Sequence, residues 1–95
     1  MSIQFTRIIL VDDEVAHTTL VERNFRRMGY DKEIIKLENG QQLLDLIDGI
    51  DKNQAGDNFP LIVLDINMPV KSGIEALGEL KANKETRHIP IIVLT

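Results

Sequence analysis

Three aspartates are the residues of this chain best placed to do chemistry. Asp65 follows the unbroken apolar run Leu61-Ile62-Val63-Leu64, and Asp12 and Asp13 follow a second such run, Ile8-Ile9-Leu10-Val11. Short apolar runs of this kind read as strands buried on both faces of a parallel sheet. In open α/β sheets the carboxyl edge of the strands is where ligands bind. If the two strands lie side by side, three carboxylates share one pocket. Such clustering is unfavourable unless a positive charge sits among them, so a bound cation is the first expectation.

Asp65 is the expected nucleophile. A carboxylate can attack a phosphoryl group and hold it as a mixed anhydride, and a cation is needed to offset the charge of the incoming phosphate. Asp12 and Asp13 are placed to hold that ion. Mg2+ suits them, because it takes few carboxylates, keeps several waters and is completed by phosphate oxygens. Asn67 could add its backbone carbonyl, and Thr95 could donate a hydroxyl to a phosphoryl oxygen. Each residue also has a bland reading. Asp65 could be a capping aspartate after a strand, Asp12 or Asp13 a helix cap, Asn67 a turn residue and Thr95 a strand end. His17 and His88 lack the spacing of a metal site and are assigned no catalytic role. Arg23, Arg26 and Arg27 read as a solvated helix face.

The elements that would carry these residues alternate. Strands are expected over 5–11, 34–37, 61–65 and 90–94, and helices over 15–28, from Asn39-Gly40 through Ile50, and over 74–83. Asp12-Asp13-Glu14 could cap the first helix, whose apolar positions are Val15, Ala16, Leu20, Val21, Phe25 and Met28. Gly29 is expected to end it as a left-handed cap. Asn39 could cap the second helix, residues 49–58 read as a loop, and Leu77 and Leu80 should point inward from the third helix. The order βαβαβαβ implies a parallel sheet with right-handed crossovers and helices on both faces.

With 95 residues the sequence allows one domain. A net charge of −4 disfavours direct nucleic-acid binding. No apolar run approaches the length of a membrane span, and Arg7 interrupts the N-terminal stretch where a signal peptide would lie. The absence of cysteine excludes disulfides, thiolate zinc sites and cysteine nucleophiles. Two enzyme classes lose their key residues. A phosphatase of the haloacid-dehalogenase type needs a second aspartate where Asn67 stands, and a nucleotide-binding domain needs a glycine-rich loop ending in Gly-Lys-Ser/Thr, which the sequence lacks.

Together, Val11-Asp12-Asp13-Glu14, Leu64-Asp65-Ile66-Asn67-Met68-Pro69, Gly73 and Ile91-Ile92-Val93-Leu94-Thr95 resemble the receiver domain of two-component response regulators, in register over the whole chain. The resemblance implies a flavodoxin-like doubly wound sheet of strand order 2-1-3-4-5. It is similar to single-domain receivers paired with phytochrome-type kinases, which also have a long loop before the third strand. It implies a cytoplasmic, non-enzymatic switch in which Asp65 accepts phosphate from a sensor histidine kinase or phosphotransfer protein. Asp13 would bind Mg2+ directly, Asp12 directly or through water, and Asn67 through its carbonyl, with Asp65 completing the protein ligands. Thr95 would be the switch hydroxyl. Lys71 and Ser72 depart mildly from the family pattern before Gly73.

A receiver continues past this threonine with a helix, a fifth strand carrying a lysine that pairs with the phosphoryl group, and a last helix. Their absence from the sequence implies a truncated receiver. The expected consequences are an exposed apolar edge on the fourth strand, a homodimer or higher assembly, and impaired phosphotransfer. A self-associating module with a disabled site is therefore the alternative reading.

Overall fold

A computed structural model describes residues 7–49, 60–65 and 72–94. In chain order it contains β1 (Arg7–Val11), α1 (Val15–Arg27), β2 (Glu33–Leu37), α2 (Gly40–Asp48), β3 (Leu61–Asp65), α3 (Gly73–Ala82) and β4 (Ile91–Leu94). The strands form one parallel sheet in the order β2-β1-β3-β4. This is the flavodoxin-like α/β arrangement that the sequence implies. Phe5 and Ile50, and most of the 49–58 loop, lie outside the described residues.

The apolar runs are continuous because both faces of β1 and β3 are covered. Successive side chains of a strand point to opposite faces. Ile8, Leu10, Leu61 and Val63 join Tyr30 in one buried cluster, against which Val21, Phe25 and Ile34 pack. Ile9, Val11, Ile62 and Leu64 join Leu43, Ile47, Ala76, Leu80 and Ile89 in the other. The chain steps from β1 to β2 in one direction, then from β2 past β1 to β3 and on to β4 in the opposite direction. Right-handed crossovers then require α1 on one face and α2 and α3 on the other, which is the distribution the two clusters record. The direction reverses between β1 and β3, so their carboxyl ends open a crevice.

The helix ends are set locally. Asn39 caps α2, its side chain accepting from the Gln42 N–H at 2.8 Å. Ser72 caps α3, accepting from the Glu75 N–H at 3.2 Å. Ser72-Gly73-Ile74-Glu75 is the Ser-x-x-Glu pattern of a capping box, so Ser72 is the helix's own start signal and α3 begins at Gly73, one residue earlier than the pattern of apolar positions suggests. After α1, Gly29 adopts φ +95°. Its N–H donates to the Arg26 carbonyl, and the Tyr30 N–H donates to the Phe25 carbonyl, both at 3.1 Å. That pairing is a Schellman motif, and the Phe25 and Tyr30 rings supply its apolar contact edge-to-face at 6.3 Å. Burial pushes the pKa of the Tyr30 hydroxyl up, which keeps it protonated as donor to the Glu33 carbonyl at 3.0 Å.

Gly29→Ala places a Cβ where nothing stands within 4 Å, so its cost is backbone strain alone. We expect a loss of about 1–2 kcal/mol, read by urea denaturation at unchanged m-value.

Three expectations are corrected. The carboxylates of Asp12-Asp13-Glu14 do not cap α1 from its N-cap position: Glu14 is the N-cap residue and its side chain makes no cap bond. Asp12 instead accepts from the Glu14 N–H at 2.9 Å, closing a turn before the helix. The inward stripe of α1 is Thr18, Val21 and Phe25, whereas Val15, Leu20 and Met28 are exposed. Thr18 takes a core position because its hydroxyl donates to the Val15 carbonyl at 3.0 Å and so needs no water. Arg26 is not simply solvated: it donates to the Tyr30 and Lys32 carbonyls at 3.0 and 2.7 Å and lies over the Tyr30 ring.

Candidate functional site

The ladder between β1 and β3 pairs Val11 with Leu64. One residue further along each strand, Asp12 and Asp65 arrive side by side at the carboxyl edge, and Asp13 follows in the turn. Asp12, Asp13 and Asp65 each offer one carboxylate oxygen, and these oxygens all lie within 4.8 Å of one another. The three residues therefore meet as the sequence predicts. They line an open cleft of about 710 Å³ with Glu14, His17, Leu20, Val21, Val93 and Leu94. The cleft lies in the crevice that the reversal of strand order creates.

The electrostatics of the cleft are one-sided. Four carboxylates line it, and no lysine or arginine is among the described lining residues. Two like unit charges about 4 Å apart repel by about 1 kcal/mol in water and by more where water is partly excluded. Asp12 is the most sheltered of the three, its side chain 10% exposed, whereas Asp13 is exposed and Asp65 half-buried. A cation among them would relieve the repulsion. The donor set is all oxygen, which suits a hard divalent ion of the Mg2+, Mn2+ or Ca2+ kind. The residues present thus fit a metal.

Asn67 and Thr95, together with Met68, Pro69 and Lys71, lie outside the described residues. Asp65 pairs with Leu94 across β3 and β4. His88 is exposed and is not among the residues that line the cleft.

The structure adds His17, to which the sequence assigns no part. Its Nδ1 lies 3.2 Å from Asp12 Oδ2 and its Nε2 lies 3.0 Å from Glu14 Oε2. The signal was present as acidic residues three and five positions earlier, but the five-residue reach crosses a turn and matches no helical spacing. Thr86, on the far side of the sheet, is a buried polar residue. Its hydroxyl donates to the Leu80 carbonyl at 2.6 Å and secures the end of α3.

A family model described as the response regulator receiver domain matches residues 8–95. Response regulator Rcp1 of Synechocystis sp. is 34% identical over 88 residues, covering 93% of this chain and 60% of Rcp1. The chain therefore spans about three-fifths of that relative's length. The crystal structure of the Mn(2+)-bound form of Rcp1 superposes with a TM-score of 0.79 at 33% identity, over 95% of this chain and 65% of that one. The bacteriophytochrome response regulator AtBRR gives a TM-score of 0.81 at 25% identity, over 98% of this chain and 68% of that one. A four-stranded parallel sheet, an acidic triad at its switch point and a family pattern running through nearly every residue agree: the chain belongs to the response regulator receiver domain family.

Proposed function

We propose that this chain is the phosphoacceptor of a two-component phosphorelay. It receives a phosphoryl group on Asp65 from a sensor histidine kinase or phosphotransfer protein, in the cytoplasm and with Mg2+. The observation that carries this reading is the meeting of Asp12, Asp13 and Asp65 within 4.8 Å at the crevice between β1 and β3. One Asp65 carboxylate oxygen attacks phosphorus, forming the O–P bond as the N–P bond to the donor imidazole breaks. The electron pair of that bond stays on the departing imidazole nitrogen, which takes a proton from water, and the product is an acyl phosphate. Bound Mg2+ supplies the positive charge that lets a phosphoryl group approach three carboxylates. Asp13 and Asp12 would hold that ion, with Asp65 and the Asn67 carbonyl. Thr95 donates its hydroxyl to the phosphoryl group. The reaction leaves the chain modified and turns over no separate substrate, which makes it a switch more than an enzyme. The likeness to AtBRR supports a kinase of the phytochrome type.

Phosphoramidate tests this reading, because its P–N bond imitates phosphohistidine. With Mg2+ present, the chain should gain the mass of one phosphoryl group. Without divalent ions the gain should disappear. Modification of any residue other than Asp65 would overturn the reading.

A second reading is favoured by β4. It pairs only with β3 among the described strands, and its Ile92, Val93 and Leu94 are 47%, 40% and 37% exposed. An apolar edge strand of this kind is a template for a second copy. On this reading the chain is a self-associating module. Light scattering after size-exclusion chromatography should then give a dimer or larger, and Val93→Lys should return it to a monomer. A monomer at all concentrations rejects association.

A further inference from the structure

We propose that His17 is a positioning residue for the cation site, fixing the Asp12 carboxylate in the orientation that binds a divalent ion. The proposal rests on the reading of Asp12, Asp13 and Asp65 as metal ligands. It adds a residue that lies outside that oxygen set and acts through one member of it.

Asp12 sits just past the end of β1, where the ladder no longer restrains its side chain. Both of its oxygens nevertheless have partners. Oδ1 accepts the Glu14 N–H at 2.9 Å, and Oδ2 meets His17 Nδ1 at 3.2 Å. Two contacts on different oxygens fix both the direction and the plane of a carboxylate, whereas one leaves the plane free to turn. Each carboxylate oxygen has two lone pairs, so these contacts leave room for an ion on the second. The ring is itself held. His17 is the third residue of α1, its backbone N–H donating to the Glu14 carbonyl at 3.1 Å. The opposite nitrogen, Nε2, lies 3.0 Å from Glu14 Oε2. With a hydrogen on both ring nitrogens, Glu14 orients the imidazole and the imidazole orients Asp12. The His17 side chain is 59% exposed and is absent from both buried clusters, so packing does not explain where the ring stands. Outer contacts that orient a metal-binding carboxylate commonly change affinity by about 10–100-fold when removed.

Isothermal titration of the chain with MgCl2, and separately with MnCl2, tests the proposal. His17→Ala should weaken both ions by about 10-fold or more and leave the metal-free unfolding midpoint close to that of the parent. His17→Asn should restore most of the affinity, since its amide nitrogen hangs from Cγ as Nδ1 does. His17→Gln, whose amide lies one bond further out near the Nε2 position, should not restore it. Equal affinity in the parent and His17→Ala overturns the proposal and leaves the metal site standing. Equal restoration by Asn and Gln also overturns it, because the effect would then follow from polarity and not from the contact at Nδ1. A parent chain that binds neither ion overturns the metal reading and the proposal together.

Discussion

Asp65→Asn should reduce phosphoryl incorporation by more than about 10³-fold while leaving the fold intact. The amide is nearly the same shape as the carboxylate, and Asp65 stands at the half-buried end of β3, so neither strand pairing nor core volume changes. What the substitution removes is the anionic oxygen. An amide oxygen is a poor nucleophile, and removal of the attacking group in a covalent mechanism is among the largest losses a single substitution produces. Phosphoramidate labelling followed by intact mass measures the effect directly, with circular dichroism as the control for folding. Residual incorporation equal to the parent would assign the phosphoryl group to another residue.

Saturating Mg2+ should raise the thermal midpoint of the parent chain and leave that of Asp13→Ala nearly unmoved. A ligand that binds only the folded state at about 100 times its dissociation constant adds about 2.7 kcal/mol of stability, which in a domain of this size moves the midpoint by roughly 10–20 °C. Asp13 is exposed, so its replacement by alanine removes little packing. It does remove one of the three oxygen donors that share the site. A loss of about 100-fold in affinity brings the same Mg2+ concentration down to the dissociation constant, where the added stability is only about 0.4 kcal/mol. Scanning calorimetry with and without MgCl2 separates the two cases. Equal Mg2+ shifts in the parent and the variant would remove Asp13 from the ligand set.

The parts of this fold legible in the sequence are those whose signal is local and repeated. Ile8 to Val11 and Leu61 to Leu64 are apolar at every position because both faces are covered, and the aspartates at their ends mark the edge of the sheet without ambiguity. Asn39 and Gly29 act where turn chemistry places them. The inward face of α1 was less legible, because a threonine that satisfies its own hydroxyl displaced the larger apolar residues Val15 and Leu20 from the core side. Ser72 departs from the family pattern because it caps α3, accepting from the Glu75 N–H. His17 was invisible for a geometric reason. Its contact with Asp12 runs back across the turn between β1 and α1, and no periodicity of strand or helix anticipates a reach of that kind.

Chemical trapping shows which residue carries the phosphoryl group. After reaction with phosphoramidate and Mg2+, borohydride reduction converts an aspartyl phosphate to homoserine, and peptide mass spectrometry locates the change. A single reduced residue is expected, at Asp65, absent when Mg2+ is withheld. Reduction at Asp12 or Asp13, or a phosphoryl group that resists borohydride because it sits on histidine or threonine, would contradict it.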